Sequence, residues 1–371
     1  RDSSTSRGLG DVYKRQPLFS DSVYIDRLSR IPAVMEMPYN DIVRKFIDMY
    51  AGRLRNQVSF MLSACNFYMP IFEEALDAYG LPLELKYLPI IESALNPSAV
   101  SRAGASGLWQ FMIGTGKIYG LESNSLIDER RDPIKATWAA ARYLKEMYDI
   151  YGDWNLVIAA YNCGPGTINK AIRRAGGETD YWKIYNLLPK ETRGYVPAFI
   201  AANYVMTYYC DHNICPMETN IPASTDTVQV TQNLHFEQIA ELCNVPLDEV
   251  KSLNPQYKKQ IIPGTTKPCT LRLPQGAISA FIDKQDTIYA HRADELFRNR
   301  KTVAVKEITP ATRRQTSAIA GKGKLTYYKI KSGDTLSSIA EKLGVRVRDI
   351  QQWNGMSNTR ISAGKQLKIY K

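Results

Sequence analysis

The sequence predicts a mainly α-helical domain followed by two small α+β units, each built as strand–helix–helix–strand. Two observations support this prediction. Apolar residues recur every three or four positions in the first part of the chain, which is the spacing of one face of a helix. From residue 228 onward the chain repeats itself at an offset of 100 residues, which indicates one small unit used twice. The helical spacing covers residues 39–51, 57–79, 134–151, 156–161 and 196–209.

Length and composition limit the class of protein. A chain of 371 residues with 44% hydrophobic residues is long enough for two or three domains with full cores. No stretch approaches the 18 or so consecutive apolar residues of a transmembrane helix, so none is predicted. Residues 1–16 lack an initiator Met and any periodic pattern. We interpret them as a non-native scar and expect the native start, with an export or lipid signal, to be missing.

A carboxylate falls on an apolar helix face at Glu92. Leu81, Leu85, Leu88 and Glu92 are spaced i, i+4, i+7 and i+11, so on a single helix they share one face. Burial without a cation raises the pKa of a carboxyl, and a carboxyl that stays protonated near neutral pH can donate a proton to a leaving oxygen. The alternative is a Glu at a helix end that turns to solvent, and the spacing alone leaves both open.

Three short strings follow in chain order and favour the first interpretation. Residues 92–112 read ESALNPSAVSRAGASGLWQFM, residues 159–166 read AAYNCGPG, and residues 191–196 read ETRGYV. In the first string, Asn96-Pro97 predicts the end of the helix. The small residues of 101–107 allow close approach of the backbone to a ligand. Residues 108–112 then offer aromatic, amide and thioether groups that suit a sugar ring and its N-acetyl arm.

Together these strings resemble the lysozyme-like lytic transglycosylases of glycoside hydrolase family 23, over residues 31–215. The resemblance implies a lysozyme-like fold with Glu92 as the catalytic acid/base. One departure is Cys163, where the family usually has Ala, and this exchange of small residues changes little. The resemblance also implies substrate contacts: Ser101, Gln110 and Met112 around the cleaved bond, Tyr161 and Asn162 facing the sugar, and Glu191 and Tyr195 completing that wall.

The implied chemistry is cleavage of the MurNAc–GlcNAc β-1,4 bond of peptidoglycan with formation of 1,6-anhydro-MurNAc. Most glycosidases use two carboxylates, but the string around Glu92 contains no second one. Glu122, Asp128 and Glu129 lie in a polar segment, and we interpret them as loop charges. An internal nucleophile, the 6-hydroxyl of MurNAc, removes the need for a base that activates water. The lone carboxylate is consistent with this route, and the resemblance implies it.

The second copy of the repeat carries the clearer pattern. Residues 327–331 and 367–369 read as strands, and the helix from Leu336 to Leu343 is predicted to stop at Gly344. This copy resembles a LysM domain, a binder of N-acetylglucosamine-containing glycans. The resemblance implies glycan contacts from Gly333, Asp334, Thr335 and Asn354.

The first copy keeps the apolar pattern but lacks the Gly-Asp-Thr string. It has Asn233, Leu234 and His235 at the corresponding positions. We therefore predict a LysM-like fold, and glycan binding or a spacer role both remain open for this copy. His235 is interpreted as a helix-start residue and not as a ligand. Residues 277–300 are expected to be partly helical.

Charge and cysteines add weaker signals. The net charge of +11 arises entirely after residue 274, where 19 Lys/Arg face 8 Asp/Glu. A basic segment suggests a polyanionic partner or a solvated linker. A nucleic-acid partner is not predicted, because no motif for one is present, and anionic cell wall is the better candidate. Six cysteines show no metal spacing, and pairs 210–215 and 243–269 are as compatible with free thiols as with disulfides.

The predicted organisation is therefore a scar, a catalytic domain, two modules and a linker. We expect a monomeric enzyme of the bacterial cell envelope, in the periplasm, that acts on peptidoglycan glycan strands without cofactor or metal. Membrane attachment is expected only through the missing N-terminal segment. A muramidase-type hydrolase and a non-catalytic wall-binding protein are the alternatives. The bounds are 1–16 for the scar, 17–216 for the catalytic domain, 228–274 for the degenerate LysM-like module, 275–325 for the linker and 326–371 for the LysM domain.

Overall fold

The computed structural model divides the chain into two compact units, residues 1–308 and 309–371. In the first unit it describes residues 17, 19–219, 221–222 and 224–297. In the second it describes residues 325–331, 334–345, 347–354, 356, 361–362 and 364–370. The segment interpreted as a scar and most of the predicted linker lie outside the described residues.

The first part of unit one is helical, as the apolar spacing predicts. Helix α3 spans 24 residues and contains Pro70 in its interior. Pro133 opens α6, where its missing N–H is not needed. The α-helices are α1 Asp21–Ser29, α2 Asp41–Asp48, α3 Arg55–Ala78, α4 Leu88–Ser93, α5 Ile113–Ile118, α6 Pro133–Tyr151, α7 Trp154–Cys163, α8 Pro165–Arg174, α9 Tyr181–Ile184, α10 Lys190–Arg193 and α11 Tyr195–Tyr208. A π-helical turn, Met49–Arg53, joins α2 to α3.

Helix α11 is the centre of this domain. Nearly every residue from 195 to 206 is buried, and the helix packs against α2, α4 and α7. A helix that is apolar on all sides requires cover on all sides, which the surrounding helices supply. Because α11 begins with Tyr195 and contacts α4, it brings the third sequence string next to Glu92.

The segment before Glu92 differs from the single helix that the spacing predicts. A 3-10 helix covers Leu83–Tyr87, and α4 begins only at Leu88. Pro89 explains the break, because proline has no N–H to continue the hydrogen bonds of a preceding helix. The apolar face is kept, since Leu85 and Leu88 are fully buried. The face was therefore predicted well and the helix length was not.

The first LysM-like copy has the predicted strand–helix–helix–strand order, with an extra pair of short strands. Strands β1 Thr225–Val230 and β4 Cys269–Pro274 pair antiparallel, with Val228 opposite Leu271. Strands β2 Asn233–His235 and β3 Ile261–Pro263 form a second antiparallel pair. Helices α12 Phe236–Cys243 and α13 Leu247–Leu253 lie between them in the chain.

Three helices continue from this copy: α14 Gln275–Asp283, α15 Gln285–Ala290 and α16 Ala293–Leu296. The helical character expected for residues 277–300 is thus confirmed up to residue 297, and the last three residues lie outside the described part of the chain. Ala277, Phe281 and Ile288 are buried in the core of the copy. Leu126 and Ile127 of the helical domain are buried in the same core, so the copy and the helical domain share hydrophobic packing.

The second copy, in unit two, also has the predicted order. Strands β5 Leu325–Lys329 and β6 Gln366–Tyr370 pair antiparallel, and helices α17 Leu336–Leu343 and α18 Val347–Trp353 lie between them in the chain. Gly344 follows α17 with a φ of 66°, the left-handed conformation that commonly ends a helix. Its core contains Leu336, Ile339 and Ile350.

All six cysteines are free thiols in this structure. Cys210 and Cys215 are exposed, whereas Cys243 and Cys269 are buried. Of the two pairings that the sequence left open, neither is formed.

Candidate active site

Glu92 lies in the last turn of α4, at the edge of a cavity of about 400 Å³. The helix ends at once: Ala94 and Leu95 both adopt left-handed backbone, with φ of 52° and 59°. Non-glycine residues rarely adopt this conformation, and such strain clusters at functional sites. Beyond this turn, Ala99, Val100 and Ser101 line the cavity.

The cavity brings together three of the predicted site residues, Glu92, Ser101 and Gln110. The π-helical turn and α3 also line it, through Tyr50, Gln57 and Met61, which sequence reasoning missed. These residues lie outside the three strings, so only tertiary packing reveals them. The remaining lining residues are Leu54, Ile90, Ile91, Ser93, Ala94, Ala99 and Val100.

The electrostatic environment of Glu92 favours its protonated form. Burial raises the pKa of its carboxyl to about 7, and the negative charge of Glu191 adds to this rise. A hydrogen bond that the Tyr195 hydroxyl donates to Glu92 Oε1 acts in the opposite direction. No basic side chain lines the cavity among the described residues. A carboxyl with this pKa can give up and regain a proton near neutral pH.

Tyr161, Asn162, Glu191 and Tyr195 are not among the residues that line this cavity. The Tyr161 hydroxyl donates to the Trp109 carbonyl oxygen at 2.7 Å, and Asn162 Oδ1 accepts from the Thr192 hydroxyl at 2.9 Å. Burial raises the pKa of Tyr161 and of Tyr195 well above the usual value, so both remain hydrogen-bond donors. Glu191 is exposed.

The loop of residues 101–112 forms the cavity wall that carries Ser101 and Gln110. Ser101 Oγ accepts from the Ala105 amide at 3.0 Å. Gln110 has left-handed backbone, and its Nε2 donates to the Gly107 carbonyl oxygen at 2.8 Å. Trp109 and Phe111 are buried in the core and cannot face a sugar, contrary to the expectation for this segment. Met112 is exposed but outside the lining.

The sequence suggests that Gly107 lets a ligand approach the backbone, but the structure gives a different reason for a glycine at this position. A Cβ atom at this position would lie 1.7 Å from the Arg130 carbonyl oxygen, and the φ of Gly107 is 87°. No other residue fits both restrictions. At this position the glycine permits close packing of the loop on the backbone of residue 130.

Asp128 and Glu129, interpreted from sequence as loop charges, are in fact buried and paired. Arg130 donates from Nε and Nη2 to the two carboxylate oxygens of Asp128, at 2.9 and 2.8 Å. Its Nη1 donates to the carbonyl oxygens of Gly104 and Phe111, at 2.8 and 2.9 Å. Lys135 Nζ lies 2.6 Å from Glu129 Oε1. This network fixes both ends of the loop segment that carries Gln110.

We expect kcat/KM to fall about tenfold per pH unit above roughly pH 7, because the acid step needs protonated Glu92. Tyr195→Phe should move this fall to higher pH, since it removes the hydrogen bond that lowers the pKa of Glu92. Initial rates on a soluble glycan fragment between pH 5 and 9 measure both effects. A wild-type profile that stays flat across this range would contradict the assignment of Glu92.

The predicted glycan contacts of the second copy stay predictions. Gly333 lies outside the described residues. Asp334 accepts from the Tyr328 hydroxyl at 3.0 Å, and the Thr335 hydroxyl accepts from the Ser338 amide at 3.1 Å. Asn354 donates to the carbonyl oxygens of Ile350 and Lys368 and accepts from the Lys368 amide. Its side-chain amide therefore links α18 to β6.

The first copy reproduces this scaffold. Asn254 makes the same three kinds of hydrogen bond, to Val250 and Arg272. His235 takes the place of Thr335 as the helix-start residue, with a reciprocal pair of hydrogen bonds to α12 that includes Gln238. The prediction that His235 starts a helix is confirmed. The missing Gly-Asp-Thr string is thus compatible with the same fold.

No group of three or more His, Cys, Asp or Glu side chains among the described residues could hold a metal ion. Within the same residues, no helix has both the length and the apolar character needed to cross a membrane.

Comparison with known families gives three matches along the chain. The family described as "Transglycosylase SLT domain" matches residues 69–184. "Lytic transglycosylase MltD, LysM-like domain" matches residues 224–290, and "LysM domain" matches residues 328–369. The first match contains Glu92 and the cavity loop, and the other two fall on the two copies of the repeat.

The chain is also similar to individual proteins of known name. Membrane-bound lytic murein transglycosylase D of Escherichia coli K12 is 30% identical over 341 residues, which cover 90% of this chain and 70% of that protein. Soluble lytic murein transglycosylase of the same strain is 33% identical over 32% of this chain and 19% of its own length. The crystal structure of the 70 kDa soluble lytic transglycosylase of E. coli is 28% identical over 41% of this chain and 26% of its own, with a TM-score of 0.34.

The identity to the first relative extends over most of both chains, and it includes the helical domain with Glu92 as well as the repeat. The chain therefore belongs to the lytic murein transglycosylases that carry an SLT domain followed by LysM-type modules.

Proposed function

We propose that this enzyme cleaves the β-1,4 bond between MurNAc and GlcNAc in peptidoglycan and leaves a 1,6-anhydro-MurNAc end, with Glu92 as the single acid/base. The observation that carries the proposal is the Glu92 carboxyl, whose pKa is raised to about 7 at the edge of the cavity. Among the described residues that line this cavity, Glu92 is the one carboxylate.

The reaction needs only one titrating group. Protonated Glu92 gives its proton to the glycosidic oxygen as the bond from C1 to that oxygen breaks, and GlcNAc leaves with a new hydroxyl. The 6-hydroxyl oxygen of MurNAc then bonds to C1, and its proton passes to the Glu92 carboxylate. Glu92 returns to its starting form, and no water is consumed. The attacking hydroxyl belongs to the same sugar as C1, so its effective concentration is high. A second carboxylate that activates a nucleophile is therefore not needed.

The surroundings of Glu92 stabilise each of the two protonation states through which it passes. Between the proton transfers Glu92 is an anion, and the Tyr195 hydroxyl donates a hydrogen bond to that anion. Before the first transfer and after the second, burial stabilises the protonated form of Glu92. Ser101 and Gln110 line the same cavity, and in this proposal they contact the sugars around the cleaved bond. Tyr161 and Asn162 contribute through hydrogen bonds, Tyr161 with the Trp109 carbonyl oxygen and Asn162 with the Thr192 hydroxyl.

A hydrolase on the same fold is the competing function, and product mass separates the two. Digestion of purified sacculi should release fragments that are each one water lighter than the corresponding muramidase products. Fragments with ordinary reducing MurNAc ends would instead show that water is the nucleophile.

We further propose that the C-terminal LysM copy retains the enzyme on the wall, and that the protein works in the bacterial envelope. Two observations support this: residues 328–369 match the LysM family, and the basic charge after residue 274 suits an anionic wall. The first relative is membrane-bound by name, and we propose a membrane-associated envelope location for this protein as well.

Removal of residues 326–371 should weaken retention on insoluble sacculi and leave turnover of short soluble glycans nearly unchanged. A tethered binder raises the local concentration of enzyme without altering the catalytic cavity. Pull-down of full-length and shortened proteins on sacculi at low and high salt measures this, and high salt should reduce the charge-dependent part. Equal retention of the two proteins at every salt concentration would contradict the anchoring role.

A further inference from the structure

The first LysM-like copy is attached to the helical domain at the segment that supports the active site. The Lys258 amide donates to the Leu126 carbonyl oxygen at 2.6 Å, and the Asp128 amide donates to the Gln256 carbonyl oxygen at 2.8 Å. Ile127 and Tyr257 form an antiparallel bridge between these contacts. Residues 126–128 therefore pair with residues 256–258 as if they were one more short strand of the copy.

Side chains strengthen this attachment. Lys258 Nζ donates to the Asn124 carbonyl oxygen at 2.8 Å and lies 4.0 Å from Asp128 Oδ2. The Lys267 ammonium group is paired with the Glu122 carboxylate, and it lies 3.7 Å from Glu129 Oε1. Leu126 and Ile127 are buried in the core of the copy. The segment 122–129 is thus held on one side by the copy and continues directly into Arg130.

Arg130 connects the same segment to the cavity. Its guanidinium is oriented by Asp128 and donates to the carbonyl oxygens of Gly104 and Phe111, on either side of Gln110. Both Arg130 and Asp128 are almost completely buried. In a packed interior, a side chain cannot shift without its partners. A change in the position of Asp128 therefore changes the support of the loop that carries Gln110.

We propose that Lys258 of the first LysM-like copy is a positioning residue of the active site. It holds the segment 124–128, so that Asp128 fixes Arg130 beneath the cavity loop. On this account the copy is part of the catalytic unit and not an independent glycan binder. The inference rests on the proposed function only where enzyme kinetics are used to test it.

The test compares Lys258→Met with Lys259→Met in the full chain. Lys259 belongs to the same short turn, is exposed, and makes none of the contacts described above to the helical domain. Hydrogen exchange is measured for the Gly104, Ser106 and Gly107 amides, whose hydrogen-bond acceptors lie within residues 99–111. We expect exchange roughly three- to tenfold faster in Lys258→Met than in wild type, and no change in Lys259→Met.

Kinetics on a soluble glycan fragment supply the second readout. Because the affected wall binds substrate and does not transfer the proton, Lys258→Met should raise KM by a similar factor and keep kcat within about twofold. The pH profile should not move, since the surroundings of Glu92 are untouched. Lys258→Arg, which retains a charged donor, should restore both readouts. Lys258→Gln is a milder change and should alter them in the same direction as Lys258→Met.

The exchange and kinetic results together decide whether Lys258 positions the cavity loop. Equal loop exchange in Lys258→Met and Lys259→Met overturns it, as does faster exchange with unchanged KM. A proportional loss of kcat alone would show general destabilisation instead of positioning. If the wild-type chain failed to cleave peptidoglycan, the proposed function would be wrong, and the exchange comparison alone would still decide whether Lys258 supports the loop.

Discussion

Glu92→Gln is expected to remove glycan cleavage and to leave the fold intact. The amide has the shape of the carboxyl but cannot donate a proton and then accept another. General acid–base catalysis typically contributes roughly 10²- to 10⁴-fold in rate, and a mechanism with one titrating group loses both steps at once. The rate of release of soluble fragments from purified sacculi measures the effect.

The pH dependence of stability provides the control that the variant is folded. Wild-type Glu92 has a pKa of about 7 in the folded protein against 4.5 as its ordinary value. The folded state therefore binds the extra proton between these values, and its stability falls as pH rises through that range. Glu92→Gln lacks this loss and should be more stable than wild type at pH 8, by on the order of 1–3 kcal/mol, with little difference at pH 4. A folded variant that cleaves at the wild-type rate would refute the role of Glu92.

Arg130→Met is expected to cost about 3–5 kcal/mol of unfolding free energy, the usual effect of leaving one partner of a buried ion pair uncompensated. The substitution removes both direct hydrogen bonds from the Asp128 carboxylate, which is 1% exposed, and leaves it only the more distant Arg131 and Lys258 side chains, at 3.9 and 4.0 Å. It also removes a donor from the carbonyl oxygens of Gly104 and Phe111. Because those carbonyls flank Gln110, the remaining folded protein should also bind glycan more weakly. Urea denaturation of wild type and variant measures the stability change.

Two further variants show whether the lost unfolding free energy arises from the buried pair of Asp128 and Arg130. Arg142→Met removes an arginine on α6 that forms an exposed pair with Glu146, and it should cost less than about 1 kcal/mol. Asp128→Asn combined with Arg130→Met removes the stranded charge and should recover part of the loss. If Arg130→Met were as stable as Arg142→Met, the buried network would not be what fixes the cavity loop.

The elements that depend on local sequence were predictable. Helix α17, with Thr335 at its start and Gly344 after its end, follows from capping residues and apolar spacing that lie within ten residues of each other. His235 could be identified as a helix start for the same reason. Glu92 could be selected as the candidate acid, because an acid on an apolar face is unusual and the surrounding string is specific to a family; the structure places it at the cavity.

The features that depend on distant packing were not predictable. Tyr50 and Gln57 reach the cavity because the π-helical turn and α3 line it together with α4. Gly107 looked suited to a ligand, but the neighbour that requires it is the Arg130 backbone. The polar string around Asp128 looked like a surface loop, since its partners Gln256 and Lys258 lie well over one hundred residues later. Periodicity carries no information about such contacts.

In the proposed reaction, the C1 carbon released from its glycosidic bond is captured by the 6-hydroxyl of the same sugar, and Glu92 moves the proton in both steps. Digestion of sacculi in water enriched in the heavy oxygen isotope, followed by mass spectrometry of the MurNAc ends, tests it most directly. We expect 1,6-anhydro ends with no incorporated label. Reducing MurNAc ends that carry the heavy oxygen would contradict it, because they would show that water attacked the sugar.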